Sequence, residues 1–432
     1  VSQTAVADKH DALTAAFQAF RRESAFWPES VRADREAAFR RFLERGFPTT
    51  RDEEWKFTSV AQIAATPFSR APQVTLERTA IEPYLLPDAV ITIVLVNGRI
   101  AKNLLSVGAL PVGITVEFGR GPSPSANPAP GGAFVDLNDA FVEDVLTIRV
   151  APKTVVASPL HVLAVAVANG QAALVTPRLL VHVGEGAEVS IVETFTGTDG
   201  AATLTSAVTR FEIEPAAVVN HAKIQLETGA AFHMGNIAAW LGRASTFTSH
   251  ALTFGGRISR NDITAVLDGE GAECTLDGLY VADAESLVDT HTTIDHAKPH
   301  CPSHERYKGI LAGRAKAVFN GKIIVRQDAQ KTDAKQTNRA LLLSDDAQVN
   351  TKPQLEIFAD DVKCTHGAAI GQLDDDALFY LRARGIREVD ARNLLIHAFA
   401  AEVLATTKIA SARERAMHLL EAKLSLAEVT PV

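Results

Sequence analysis

Between Leu146 and Thr365 the sequence holds almost no convincing helix. Short alternating runs follow one another instead: LTIRV, HVLAVAV, RLLVHV, EVSIVETF, TRFEI, NHAKIQLE, DITAVL, KAVF and KIIV, separated by Gly, Asn and Asp. Alternation with turn residues at regular spacing predicts strands. A five-residue unit also recurs: Gly186-Ala187-Glu188-Val189-Ser190, Gly271-Ala272-Glu273-Cys274-Thr275 and Asp346-Ala347-Gln348-Val349-Asn350. A small residue, Ala, an acid or amide, an apolar residue and a small polar residue make a strand start after a turn. Recurrence of one such unit favours a stacked β-solenoid, with a sandwich as the alternative.

The flanks read as helices. Leu13, Phe17 and Phe20 stand at helical spacing in residues 8–22, and Phe39, Phe42 and Leu43 in residues 31–45, before Gly46 and Pro48 stop the second helix. Arg51–Ser59 (RDEEWKFTS) reads as a packed Trp55 with a solvated rim. From Ala89 the texture turns to β with AVITIVLVNGRI, and Gly119–Gly132 is a Pro/Gly/Ser-rich loop. At the other end, a helix starting near Asp374 carries Leu378, Phe379 and Leu381 to a stop at Arg384-Gly385. A second runs from about Asp390, with Leu395, Phe399 and Val403 on one face, and a third covers 411–426. This divides the chain into an N-terminal helical region (1–88), a β core (89–365) and a C-terminal helical domain (366–432). Helical ends would cap the open edges of a solenoid.

With 432 residues the chain has ample material for a core, and a net charge of −8 argues against nucleic acid as a partner. No apolar run is long enough to span a bilayer, and the N-terminus lacks the pattern of a signal peptide. The three cysteines, Cys274, Cys301 and Cys364, are too few and scattered for a disulfide framework, so a reducing cytoplasm is the simplest compartment. Gly321-Lys322 is followed by Ile323 and has no upstream phosphate-loop glycine; Val183-Gly184-Glu185-Gly186 lacks the third glycine of a dinucleotide turn. There is no GxSxG elbow. If the process served by this chain needs ATP, a partner supplies it.

Cys364 and His366 are the leading candidates for chemistry. In an extended chain, residues i and i+2 project together, with Thr365 turned away. Thiolate and imidazole ligate iron and iron–sulfur clusters, but two donors cannot complete the usual four, so others must come from elsewhere, including another subunit. The alternative is a buried cysteine beside a histidine satisfied by a carbonyl. A weaker metal candidate is the run His291–His304, with His296, His300, Cys301 and His304, where Pro299 and Pro302 indicate a turn. Cys274 reads as core. Gln330, Gln336, Asn338, Gln348 and Asn350 could stack as amide ladders. Parallel β-helices also host carbohydrate-active enzymes with paired carboxylates, but here the acids are spread among turns.

The runs AQKTDAKQTNRALLLSDDAQVNTKPQLEI, DDVKCTHGA and LFYLRARGI, in this order, resemble the core of the SufB/SufD family of iron–sulfur cluster assembly scaffolds. The resemblance is dense from Asp289 to Phe399. The SufD branch is the closer match, because His366-Gly367-Ala368 stands where the SufB branch usually carries His-Glu-Ala. The resemblance implies a right-handed parallel β-helix and a non-catalytic scaffold. Its partners would be a SufB-like paralogue, as a heterodimer, and a SufC-like ABC-type ATPase, with room for a homodimer of the isolated chain. It implies no cofactor held stably by the isolated chain, and iron or a cluster held transiently at the subunit interface by His366 and Cys364. It puts the ATPase contact in the C-terminal helices, where Phe379, Arg384, Gly385, Leu395 and Phe399 are the candidates. Because solenoid stability is local to its repeats, the β core is expected to survive deletion of 374–432. The readings kept beside this one are a SufB-branch paralogue and a β-helix carbohydrate-active enzyme.

Overall fold

The structure, a computed structural model, describes residues 11–105, 110–121, 131–198 and 200–428, with side chains as far as residue 424. Most of the loop expected at Gly119–Gly132 and the first residues of the chain lie outside the described residues. Among those described, the strands form an 11-stranded and a 10-stranded sheet. Through the core, successive strands fall alternately into the two sheets, and each pairs in parallel with the strand two along in sequence. This is a parallel β-solenoid of about 8 turns, so the sandwich alternative falls.

The recurring five-residue unit marks where each coil turns. Gly186 (φ 65°) and Gly271 (φ 68°) lie in the left-handed region two residues before strands that begin at Glu188 and Glu273. Ala216, Ala244, His300 and Lys331 occupy the same slot before strands beginning at Val218, Thr246, Pro302 and Asp333. Only glycine adopts this conformation freely; other residues there cost about 1–2 kcal/mol each. The alanine of the unit is buried at Ala187, Ala272 and Ala347, and Val189 and Cys274 continue into the interior. Alternate residues of each strand fill that interior: in Asp333–Leu342, Ala334, Gln336, Asn338 and Ala340 are buried while Lys335, Thr337 and Arg339 are exposed.

Helices cover the outer faces. α1 (Asp11–Glu23), α2 (Glu29–Arg45) and the short α3 (Ala61–Ala65) precede the core, and α4 (Ala133–Phe141) interrupts a region that reads as β. Phe134, Leu137, Ala140 and Phe141 form an apolar stripe on α4 that packs against Phe17, Phe39 and Phe42 and onto Leu204 and Phe232 of the 11-stranded sheet. α5 (Asp375–Arg382), α6 (Glu388–Leu404) and α7 (Ala410–Glu428) follow the core. Asp374 caps α5 by accepting from the Ala377 N–H at 3.0 Å. Ile396, Ala400 and Val403 of α6 and Ala412, Ala416 and Leu420 of α7 bury the outer face of the 10-stranded sheet at Ile224, Leu252, Leu279 and Ile310. Each large side chain buried this way contributes about 1.5–3 kcal/mol. A β core freed of residues 374–432 would expose that apolar face, which argues against its surviving the deletion intact.

The core also runs further than the sequence reading placed it. The last strand, Lys363–Gly371, continues through Gly367 because it pairs along Asp333–Leu341 of the preceding coil.

Candidate functional site

The solenoid ends on two strands, Gln348–Ile357 in one sheet and Lys363–Gly371 in the other, each paired on one side only among the described residues. Cys364 lies across from Ala334, and His366 across from Gln336. Ala334 and Gln336 point into the solenoid. Cys364 and His366 therefore share the inward face of the last coil, where no further coil covers them among the described residues. Cys364 is half-buried against Ile323, Val325 and Leu355, whereas His366 is exposed. Burial pushes the Cys364 thiol up, and the backbone N–H of Ala334 only partly offsets it.

Beneath His366 the same inward row continues through Gln336 to Glu305. The Gln336 amide donates to Glu305 Oε2 at 2.6 Å. Burial raises the Glu305 carboxyl to about 7, against the lowering effect of the neighbouring Thr292 hydroxyl and Gln336 amide. The interior amides bond to acids and hydroxyls: Asn338 donates to Thr351 Oγ1 at 3.2 Å and accepts from the Tyr280 hydroxyl at 3.4 Å. They do not form the amide ladder that the sequence allowed.

The His291–His304 run is taken apart by the fold. His296 is fully buried inside the coil, 3.0 Å from Ser303 Oγ, and burial lowers its pKa to about 4. His300 is the left-handed turn residue, its N–H bonded to the Gln330 carbonyl at 2.9 Å. Cys301 is buried with its thiol on the Gly269 carbonyl at 3.3 Å, and His304 alternates to the outer face. Among the described residues no group of three or more His, Cys, Asp or Glu side chains is gathered to hold a metal ion. Cys274 sits in the core.

The helical candidates divide. Phe379 is 71% and Tyr380 56% exposed on α5, and the Arg384 guanidinium lies 3.4 Å from the centre of the Tyr380 ring, next to Gly385 (φ 86°). Leu395 is half-buried on α6. Phe399 faces the β core, its ring 4.3 Å from Lys308 Nζ.

Sequence reasoning missed an ionic lock between Glu53–Trp55 and the outer face of the 11-stranded sheet. The Arg260 guanidinium stacks over Trp55 at 3.8 Å and donates to Asp289 at 2.7 Å and to the Glu54 carbonyl at 2.8 Å. His291 bridges Asp289 (3.0 Å) and Glu54 (3.2 Å), and Thr58 donates to Asp289 at 2.6 Å. Arg260 and Asp289 occupy one register position on successive coils, which was the available signal. Acids do line the cleft of about 510 Å³ beside Trp55, but Glu53 pairs with Lys352, Glu54 with His291 and Asp262 with Arg260. Each of these three carboxylates is thus held by a cationic partner.

The lock is pH-sensitive. Burial opposes charge on both partners, but Asp289 and Glu54 raise His291 to about 9, and Arg260 and His291 lower Asp289 to about 2. His291 therefore adds stability that is complete below about pH 6.5 and lost as pH rises through about 9; that of Asp289 is lost as pH falls from about 3.8 to 2. The Trp55 fluorescence, taken as the difference from Trp55→Phe, is expected to change with a midpoint near pH 9, where His291 of the folded chain loses its proton, and His291→Gln to abolish the change. A flat signal in the unaltered chain would show that the lock does not titrate.

Residues 166–399 match the family model described as SUF system FeS cluster assembly, SufBD core domain. The chain is 34% identical over 391 residues to an iron–sulfur cluster assembly SufBD family protein of Synechocystis sp., covering 85% of each chain. It is 33% identical over 366 residues to iron–sulfur cluster assembly protein SufD of Escherichia coli, covering 84% of this chain and 85% of that one. Against SufD of Bacillus subtilis it is 29% identical over 211 residues, 48% of each chain.

Proposed function

The chain belongs to the SufBD family of iron–sulfur cluster assembly proteins and is a homologue of SufD, and from this we propose that it is a non-catalytic scaffold subunit on which clusters are built for transfer. The observation that carries the proposal is the pairing of Cys364 and His366 on one face at the uncapped end of the solenoid. A soft thiolate and an imidazole are iron donors, and iron or the nascent cluster is the cargo. Two donors make a half-site. The unpaired edges of the last two strands, with Phe358 and Ile370 exposed beside them, offer a second β chain a surface to join. A SufB-like paralogue seated there would bring the missing ligands. Gly367, next to His366, favours the SufD role for this chain over the SufB role. A SufC-like ATPase docked on the exposed face of α5 would supply ATP hydrolysis. No helix among the described residues is long and apolar enough to cross a membrane, and thiol-based cluster assembly suits a reducing cytoplasm.

The test is anaerobic co-purification of the tagged full chain from its own cells. We expect a SufB-like and a SufC-like protein to co-elute with visible cluster absorbance, and the chain alone to hydrolyse no ATP. A chain that elutes with neither partner, from cells whose cluster assembly is unchanged when it is deleted, would overturn the proposal.

A further inference from the structure

We infer that Gln336 and Glu305 are positioning residues for His366: the Gln336 side-chain carbonyl accepts the imidazole N–H facing it, and Glu305 holds the Gln336 amide so that this carbonyl is presented. This rests on the reading of His366 as an iron ligand. His366, Gln336 and Glu305 stand on three successive coils in one inward row, with neighbouring strands about 4.8 Å apart. Ionised, as it is at pH 8, the Glu305 carboxylate pairs only with the N–H end of an amide. The bond from Gln336 Nε2 to Glu305 Oε2 at 2.6 Å therefore fixes which end of Gln336 is spent. The other end, Oε1, is buried and has no hydrogen-bond partner among the described residues, in a side chain 2% exposed. Such an unpaired buried acceptor is uncommon.

The residue directly across the ladder from Gln336 is His366, whose imidazole can donate. A histidine that ligates metal through one nitrogen characteristically donates its other N–H to a carboxylate or carbonyl, which sets the tautomer and the ring plane. The row from Glu305 through Gln336 to His366 supplies that arrangement through an amide. It gives roles to two buried polar side chains that the two-donor site does not otherwise use.

The test is anaerobic titration of the assembled complex with Fe(II) alone at pH 8, above the point to which burial raises Glu305. Gln336→Met, which keeps the volume, is expected to weaken Fe(II) binding by about 10–100-fold. Added to His366→Ala it should cause no further loss, since Gln336 acts through His366. Glu305→Gln still offers an acceptor to the Gln336 amide and should retain roughly tenfold more affinity than Glu305→Met. That second pair answers the question if Gln336→Met does not fold. Wild-type binding by Gln336→Met, where His366→Ala is weakened, would overturn the inference and leave the ligand reading standing. A loss that simply adds to that of His366→Ala would mark Gln336 as structural and also overturn it. Unchanged binding by His366→Ala would remove the ligand reading itself.

Discussion

Replacing His366 by Ala is expected to leave the assembled complex intact and to remove most of its visible cluster absorbance. The histidine is exposed on the last coil, so its loss should alter folding stability by no more than about 0.5 kcal/mol. As one donor of the proposed half-site, however, it has no substitute nearby, since the described residues gather no third ligand. Cys364→Ser should be milder, because burial raises the Cys364 thiol, and the proton it must release on binding iron offsets part of the affinity it supplies. Activation of an apo-enzyme by the complex should follow the absorbance. Full cluster content in His366→Ala would make the histidine structural; dissociation of the complex would make it an interface anchor.

Phe379→Ala is expected to weaken binding of the proposed ATPase partner by about 2–4 kcal/mol, roughly 30- to 1,000-fold in Kd. Phe379 and its neighbour Tyr380 are the large side chains that α5 leaves exposed, beside the tight turn at Gly385. Exposed aromatic residues of this kind are common anchors of interfaces. Truncating Phe379 uncovers none of the core, unlike removal of residues 374–432, which would strip α6 and α7 from Leu252 and Ile310. Calorimetric titration against the purified ATPase reads the effect. Unchanged affinity would move the contact off α5.

The coil turns were legible where glycine fills the left-handed slot, as at Gly186 and Gly271. They were hidden at Ala216, Ala244 and Lys331, where the fold accepts a strained residue that leaves no mark in the sequence. The same-face placement of Cys364 and His366 follows from strand alternation alone. The run His291–His304 misled for a matching reason: alternation sends His296 inward and His304 outward, and the turn takes His300. The row Glu305–Gln336–His366 joins residues about thirty positions apart, and only the coil period brings them together. Phe399 shows another limit. The apolar stripe of α6 was readable, but not that its Phe399 side meets Lys308 and the β core.

In the proposed site a His366 nitrogen binds iron. This ligation is tested most directly by pulsed electron paramagnetic resonance of the reduced complex, assembled with only this chain carrying ¹⁵N-histidine. It predicts a ¹⁵N coupling of directly coordinated imidazole that disappears in His366→Ala. A complete cluster without that coupling, or with a coupling that persists in His366→Ala, would contradict it.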